Sequence, residues 1–219
     1  MGTFVLIHGA GDAGWYWHLV ERELRKRGHD TLAPDLPCDD ESAGLAEYAD
    51  AVVAAIGARR DLIVVAQSFG GFTAPLVADR VPVELLVLVA AMIPAPGEAP
   101  DDWSANTGFD VVMSEQAERY ADQERVYQDV PASVAEQARR HARDQSGTPG
   151  RAVWPLGAWP PVPTRVVVCT EDRFFPAPFM RRVAADRLGV VPDEIAAGHA
   201  VALSRPAKLA SLLCGYLVS

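Results

Sequence analysis

Three side-chain types that can share a proton relay, a serine, an aspartate and a histidine, stand at the ends of short apolar runs in this sequence. The serine is Ser68 in "LIVVAQSFGGF", where a strand-forming segment runs straight into a small polar residue with Ala66 and Gly70 two positions away on either side. A serine on a sharp strand-to-helix turn holds a strained backbone, at a cost of about 1–3 kcal/mol, and needs small neighbours at those positions. Such a turn, a nucleophile elbow, lifts the hydroxyl over the sheet edge. It also aims the Phe69 amide into the same space at a helix start, where the dipole favours an oxyanion. On its own the pattern is equally compatible with plain turn chemistry.

Serine is a weak nucleophile until a base takes its proton, and histidine, with an unperturbed pKa of about 6.5, suits that task. Of the five histidines, His199 in "IAAGHAVALSRP" follows a short strand and precedes the last helix, which puts it on a loop at the sheet's C-terminal edge. His8 ends the first strand, His18 and His141 lie on helical segments and His29 follows Gly28, all positions that suit structural or solvated roles. The acid that orients the imidazole is expected in "VVVCTEDRFFP": Asp172, with its neighbour Glu171 as rival. Asp35 in "APDLP" reads as a turn residue. The resulting chain order, Ser68, Asp172, His199, is that of serine hydrolases built on an open α/β sheet.

A second oxyanion donor is expected in "HGAGDAGWYW", whose glycines allow close backbone approach and where the Ala10 amide can turn inward. The same stretch begins G-x-G-x-x-G, the pattern of a dinucleotide loop, with Asp35 about twenty residues on. Nucleotide binding leaves His8, the Trp15/Trp17 pair and the distant Ser68, Asp172 and His199 without a purpose, so the hydrolase reading is preferred.

These residues need a scaffold, and the order of elements supplies one. Apolar runs such as "TFVLIH", "LIVVA", "ELLVLVA" and "TRVVVC" alternate with segments of helical period, including "GLAEYADAVVAAIG" with Leu45, Ala49, Val52 and Ile56 on one face. Strands apolar on both faces, separated by amphipathic helices, predict an α/β fold with a mostly parallel central sheet flanked by helices. From about Pro94 to Pro163 no strand pattern occurs, while "SEQAERYADQERVYQDV" and "PASVAEQARRHARDQ" carry helical period. The expectation is a core of residues 1–93 and 164–219 with a helical lid over 94–163. Trp103, Phe109, Tyr120, Tyr127, Trp154 and Trp159 in that insertion serve either a pocket lining or the lid's own core.

Composition limits the partners. With 219 residues, 49% of them hydrophobic, the chain can bury a sizeable core. A net charge of −9 repels a phosphate backbone, so nucleic acid is not expected. No apolar stretch reaches the roughly 18 residues of a spanning helix, and the opening residues carry no basic leader, which suggests a cytoplasmic protein with no membrane partner. Cys38, Cys169 and Cys214 are scattered and show no metal-binding spacing; no metal and no cofactor is expected. Monomer and homodimer remain equally open.

The stretches "FVLIHGAGDAGWYWHLV", "AQSFGGF", "PAPGE", "CTEDRFFP" and "GHAVALSRP" resemble the plant-type methyl esterase and hydroxynitrile lyase branch of the α/β-hydrolases, with its bacterial esterase-like relatives. The resemblance spans nearly the whole core and is weakest across the insertion. It implies Ser68 as nucleophile, His199 as base, Asp172 as orienting acid, Ala10 and Phe69 as oxyanion donors, and a small, mostly apolar pocket for an apolar or aromatic ester. Two departures bear on the reaction. Ala66 stands where the family elbow often has Gly. In the lyases a Lys follows the catalytic His and a Thr follows the first-strand His, whereas this chain has Ala200 and Gly9. Without that ammonium, hydrolysis of a small carboxylic ester through an acyl-enzyme is the reading; a lyase-like or C–C-cleaving enzyme, or a non-enzymatic receptor on the same fold, is the alternative.

Overall fold

Every residue of Thr3–Ile7 is buried, and so is every residue of Leu85–Ala91, as expected of strands covered on both faces. The computed structural model describes residues 2–217. Its chain runs β1 (Thr3–Ile7), a 3-10 turn (Gly14–Trp17), α1 (His18–Lys26), β2 (Asp30–Leu32), α2 (Leu45–Ile56), β3 (Leu62–Ser68), α3 (Gly70–Arg80) and β4 (Leu85–Ala91). Five helices follow without a strand: α4 (Pro100–Thr107), α5 (Phe109–Arg119), α6 (Asp122–Val126), α7 (Ala132–His141) and α8 (Thr148–Arg151). The alternation then resumes with β5 (Thr164–Cys169), α9 (Ala177–Leu188), β6 (Asp193–Ile195), α10 (Val201–Ser204) and α11 (Pro206–Gly215). No described helix is long and apolar enough to cross a membrane.

The six described strands form one sheet in the order β2-β1-β3-β4-β5-β6, all parallel. Alternate side chains of β1, β3, β4 and β5 feed two separate cores. Val5, Ile7, Val64, Ala66, Leu86 and Leu88 pack on one face against α2, α3 and α9. Phe4, Leu6, Ile63, Val65, Val87 and Val89 pack on the other against Val20 and Leu24 of α1 and Leu209 and Leu213 of α11. A period of two in the strands meeting a period near 3.6 in the helices produces this layering.

The strand order reverses between β1 and β3, so the loops leaving these two strands diverge to opposite faces and open a crevice at their carboxyl ends. The segment between β4 and β5 straddles that edge. Trp103, Phe109 and Trp154 join the first core, whereas Val130, Ala135 and Ala138 join the second. The aromatics of this segment therefore divide. Trp103 (0% exposed), Phe109 and Trp154 are buried in the sheet's own core, and Trp159 lies 6.2 Å from Trp154. Tyr120 stacks under the Arg173 guanidinium at 4.2 Å.

Candidate functional site

Ser68 ends β3 with φ 51, a left-handed value that a residue with a Cβ adopts only under constraint. The constraint comes from the helix that follows. A Cβ added at Gly71 would stand 1.9 Å from the Met92 carbonyl oxygen, and one at Gly70 would stand 2.8 Å from that of His8. The two glycines let α3 settle against the ends of β1 and β4, and Ser68 absorbs the sharp change of direction. The register of β3 against β4 also shifts between Gln67 and Ser68.

The loop after β1 is held by His8, which is fully buried. Its Nε2 accepts the Leu36 amide at 3.0 Å, which fixes Nδ1 as the protonated nitrogen, donating to the Gly9 carbonyl at 2.8 Å. Burial, opposed by the Gly9 bond and Asp35, lowers its pKa, so the imidazole is neutral. Asp35 accepts the Gly14 amide at 2.7 Å where the 3-10 turn begins, a local structural role. Ala10 and Phe69 flank Ser68, and among the described residues neither amide has a hydrogen-bond partner.

The loops after β5 and β6 bring the remaining pair together. Asp172 is buried and Glu171, beside it, is exposed, which separates the two carboxylates that the sequence left in competition. Asp172 Oδ1 accepts the amides of Phe174 (2.8 Å) and Phe175 (2.9 Å), while Oδ2 faces His199 Nδ1 at 2.9 Å. The ring of His199 is wedged against Phe174 and Phe175, with centroids 4.8 and 5.3 Å away. With Nδ1–H given to Asp172, Nε2 carries the lone pair a base needs.

That lone pair is occupied. Gln67 Nε2 lies 3.0 Å from His199 Nε2 and donates to it, and no hydrogen bond joins the imidazole to the Ser68 hydroxyl among the described residues. Gln67 is buried, so its amide needs this partner. Sequence reasoning missed Gln67; its adjacency to Ser68 was the available signal. It also missed Asp129 and Gln128, which lie between α6 and α7. Asp129 Oδ2 accepts the Gly198 amide at 2.9 Å, next to His199, and Gln128 donates to the Glu171 carbonyl, next to Asp172. No local pattern marks either residue, because both act on loops distant in sequence.

Two chambers open on either side of Ser68 and share Ser68, Ala10 and Phe174. One, of about 190 Å³, is walled by Asp12, Tyr16, Gln67, Tyr127 and His199; the other, of about 200 Å³, by Phe69, Met92, Trp103, Phe109 and Phe175. A cleft of about 300 Å³ at the opposite end of β3, beside Arg59 and Asp61, contains neither serine nor histidine. The three cysteines form no disulfide, and burial raises each thiol's pKa.

The profile of the alpha/beta hydrolase family matches residues 4–212, nearly the whole chain. The chain belongs to the alpha/beta hydrolase family. Relatives of this hydrolase include norfluorocurarine synthase 1 of a Strychnos species, 26% identical across 96% of this chain and 93% of that one. Methylesterase 7 of Arabidopsis thaliana is 34% identical over 44% of this chain and 42% of its own length. The structure of a pyrethroid hydrolase from Sphingobium faniae superimposes on the hydrolase with a TM-score of 0.82 at 21% identity, covering 100% of this chain and 98% of that one. At that identity the likeness speaks for the fold.

Proposed function

We propose that this hydrolase cleaves small carboxylic esters through a Ser68–His199–Asp172 triad. The observation that carries the reading is the Asp172–His199 bond, which takes up Nδ1 and keeps Nε2 as the basic nitrogen of a ring lining the chamber that Ser68 also lines. The names of relatives such as methylesterase 7 point the same way. In this reading a bound ester draws the Ser68 hydroxyl into the place held by the Gln67 amide, since active-site hydrogen bonds often tighten only in the substrate complex.

Ser68 Oγ attacks the ester carbonyl as its proton passes to His199 Nε2, and Asp172 stabilises the imidazolium. The Ala10 and Phe69 amides, free of other partners, receive the oxyanion. Collapse breaks the C–O bond, and Nε2 returns the proton to the leaving alkoxide. Water, deprotonated by the same nitrogen, then releases the acid and restores Ser68. Each chamber lies below the roughly 300–1,000 Å³ of drug-sized sites, which favours a small ester with an apolar or aromatic part. Residues 94–163 act in this reading as the lid. Trp103 and Phe109 wall one chamber from above and Tyr127 the other.

A fluorophosphonate probe tests the assignment, with the modified peptide mapped and p-nitrophenyl acetate turnover measured alongside. Labelling is expected at Ser68, and Ser68→Ala or His199→Ala is expected to lower kcat by roughly 10⁴–10⁶-fold. Turnover that survives Ser68→Ala would remove the serine from the mechanism.

A further inference from the structure

The two chambers beside Ser68 differ in chemistry, and the difference has a direction. His199 walls the first chamber and not the second. On the reading above, the proton returned to the leaving oxygen comes from His199 Nε2, so the alcohol part of the substrate occupies the first chamber and the acyl part the aromatic second one.

The first chamber carries a carboxylate with no assigned duty. Asp12 follows the Ala10 loop, and its Oδ1 accepts the Ala13 amide at 2.8 Å. No lysine or arginine pairs with it among the described residues; the titratable side chains that act on it are His141, whose ring stacks on Trp15 at 4.3 Å, and Asp35. Burial raises its pKa to about 6, against the pull of the Ala13 amide and His141, so at neutral pH it is an anion in poorly solvating surroundings. The hydroxyls of Tyr16 and Tyr127 feel that charge. Tyr16 is 3% exposed, and its hydroxyl lies against the Ala202 backbone without completing a hydrogen bond. An unpaired carboxylate, an unpartnered buried hydroxyl and aromatic walls on one small chamber form a receptor for a cation.

We infer that the first chamber binds an ammonium group on the alcohol side of the substrate, with Asp12 as its charge partner, so that the preferred substrates are amino-alcohol esters of an apolar or aromatic acid. Asp12 is then a specificity-determining residue of the proposed reaction. It has no part in the proton relay.

The test compares two isosteric esters of phenylacetic acid, one of 2-(dimethylamino)ethanol and one of 3-methylbutan-1-ol, which differ in the charged nitrogen. The cationic ester is expected to show a kcat/KM about tenfold higher, the least that a close charge pair shielded from water supplies, and Asp12→Asn should bring the ratio near one. Calorimetric titration of both esters into Ser68→Ala reads the same preference without turnover. Equal kcat/KM values, or equal affinities for Ser68→Ala, would overturn the inference while leaving the hydrolase reading intact. A tenfold tighter cationic complex without hydrolysis of either ester would keep the chamber and discard the hydrolase.

Discussion

The sheet rim and the segment between β4 and β5 meet over Ser68, yet they are held in place by different means. At the rim, position follows from backbone approach: Gly70 and Gly71 admit α3 to within contact of two strand ends, and Ser68 takes up the turn. In the segment, position follows from side chains that reach far along the chain. Trp103 Nε1 donates to Ile93 O at 3.0 Å, Asp129 holds the His199 loop and Arg187 of α9 grips Glu98 with two bonds of 2.7 and 2.8 Å. Ser68 is thus positioned by main-chain approach, and the His199 loop by a side-chain tether from a distant part of the chain.

Trp103→Ala bears hardest on that contrast. If the segment shares the sheet's core, removing a fully buried indole should cost the whole domain about 4 kcal/mol in a urea unfolding curve. A detachable cover would instead lose its order with the main transition unmoved. Next is Arg187→Ala. Burial alone would raise the Glu98 carboxyl; the Arg187 and Asn106 bonds outweigh it and hold its pKa below the usual 4.5. A depressed carboxylate contributes stability above its unfolded pKa and loses it as pH falls through the folded value. The variant should therefore cost about 3 kcal/mol at pH 7 and clearly less near pH 3.5. Equal losses at both pH values would show that packing, and not charge, ties the segment to α9.

Asp129→Ala should affect both regions at once. Losing the acceptor of the Gly198 amide is expected to cost about 2 kcal/mol and to lower kcat more than it raises KM, because the imidazole loses its placement. A fall in stability with kinetics unchanged would make Asp129 structural only. The smallest effect belongs to Gln67→Met. With the competing amide removed from His199 Nε2, kcat/KM for p-nitrophenyl acetate should rise, by at most about fivefold, the worth of one net hydrogen bond. A decrease would recast Gln67 as a support for the base.

Much of this was legible in one dimension. The elbow announces itself because strain at Ser68 requires small neighbours close in sequence, and the apolar runs announce the parallel sheet because both faces are covered. Helix α4 was not legible: "PDDWSANT" lacks a clear helical stripe, and its buried Trp103 and Thr107 draw stability from partners elsewhere in the fold. The choice between Glu171 and Asp172 needed coordinates too, since adjacent residues differ only in which way the loop turns them.

The sequence by itself determined the layered α/β scaffold, the strained turn at Ser68 and the chain order of serine, aspartate and histidine, because each rests on contacts within a few residues or on a repeating period. Only the tertiary structure decided that Gln67 occupies the imidazole, that Asp129 and Gln128 hold the loops of His199 and Asp172, and that Asp12 walls a chamber beside His199. Those hydrogen bonds join residues up to 132 positions apart in the chain, and their energy depends on burial and on hydrogen-bond geometry, which exist only once the chain has closed on itself.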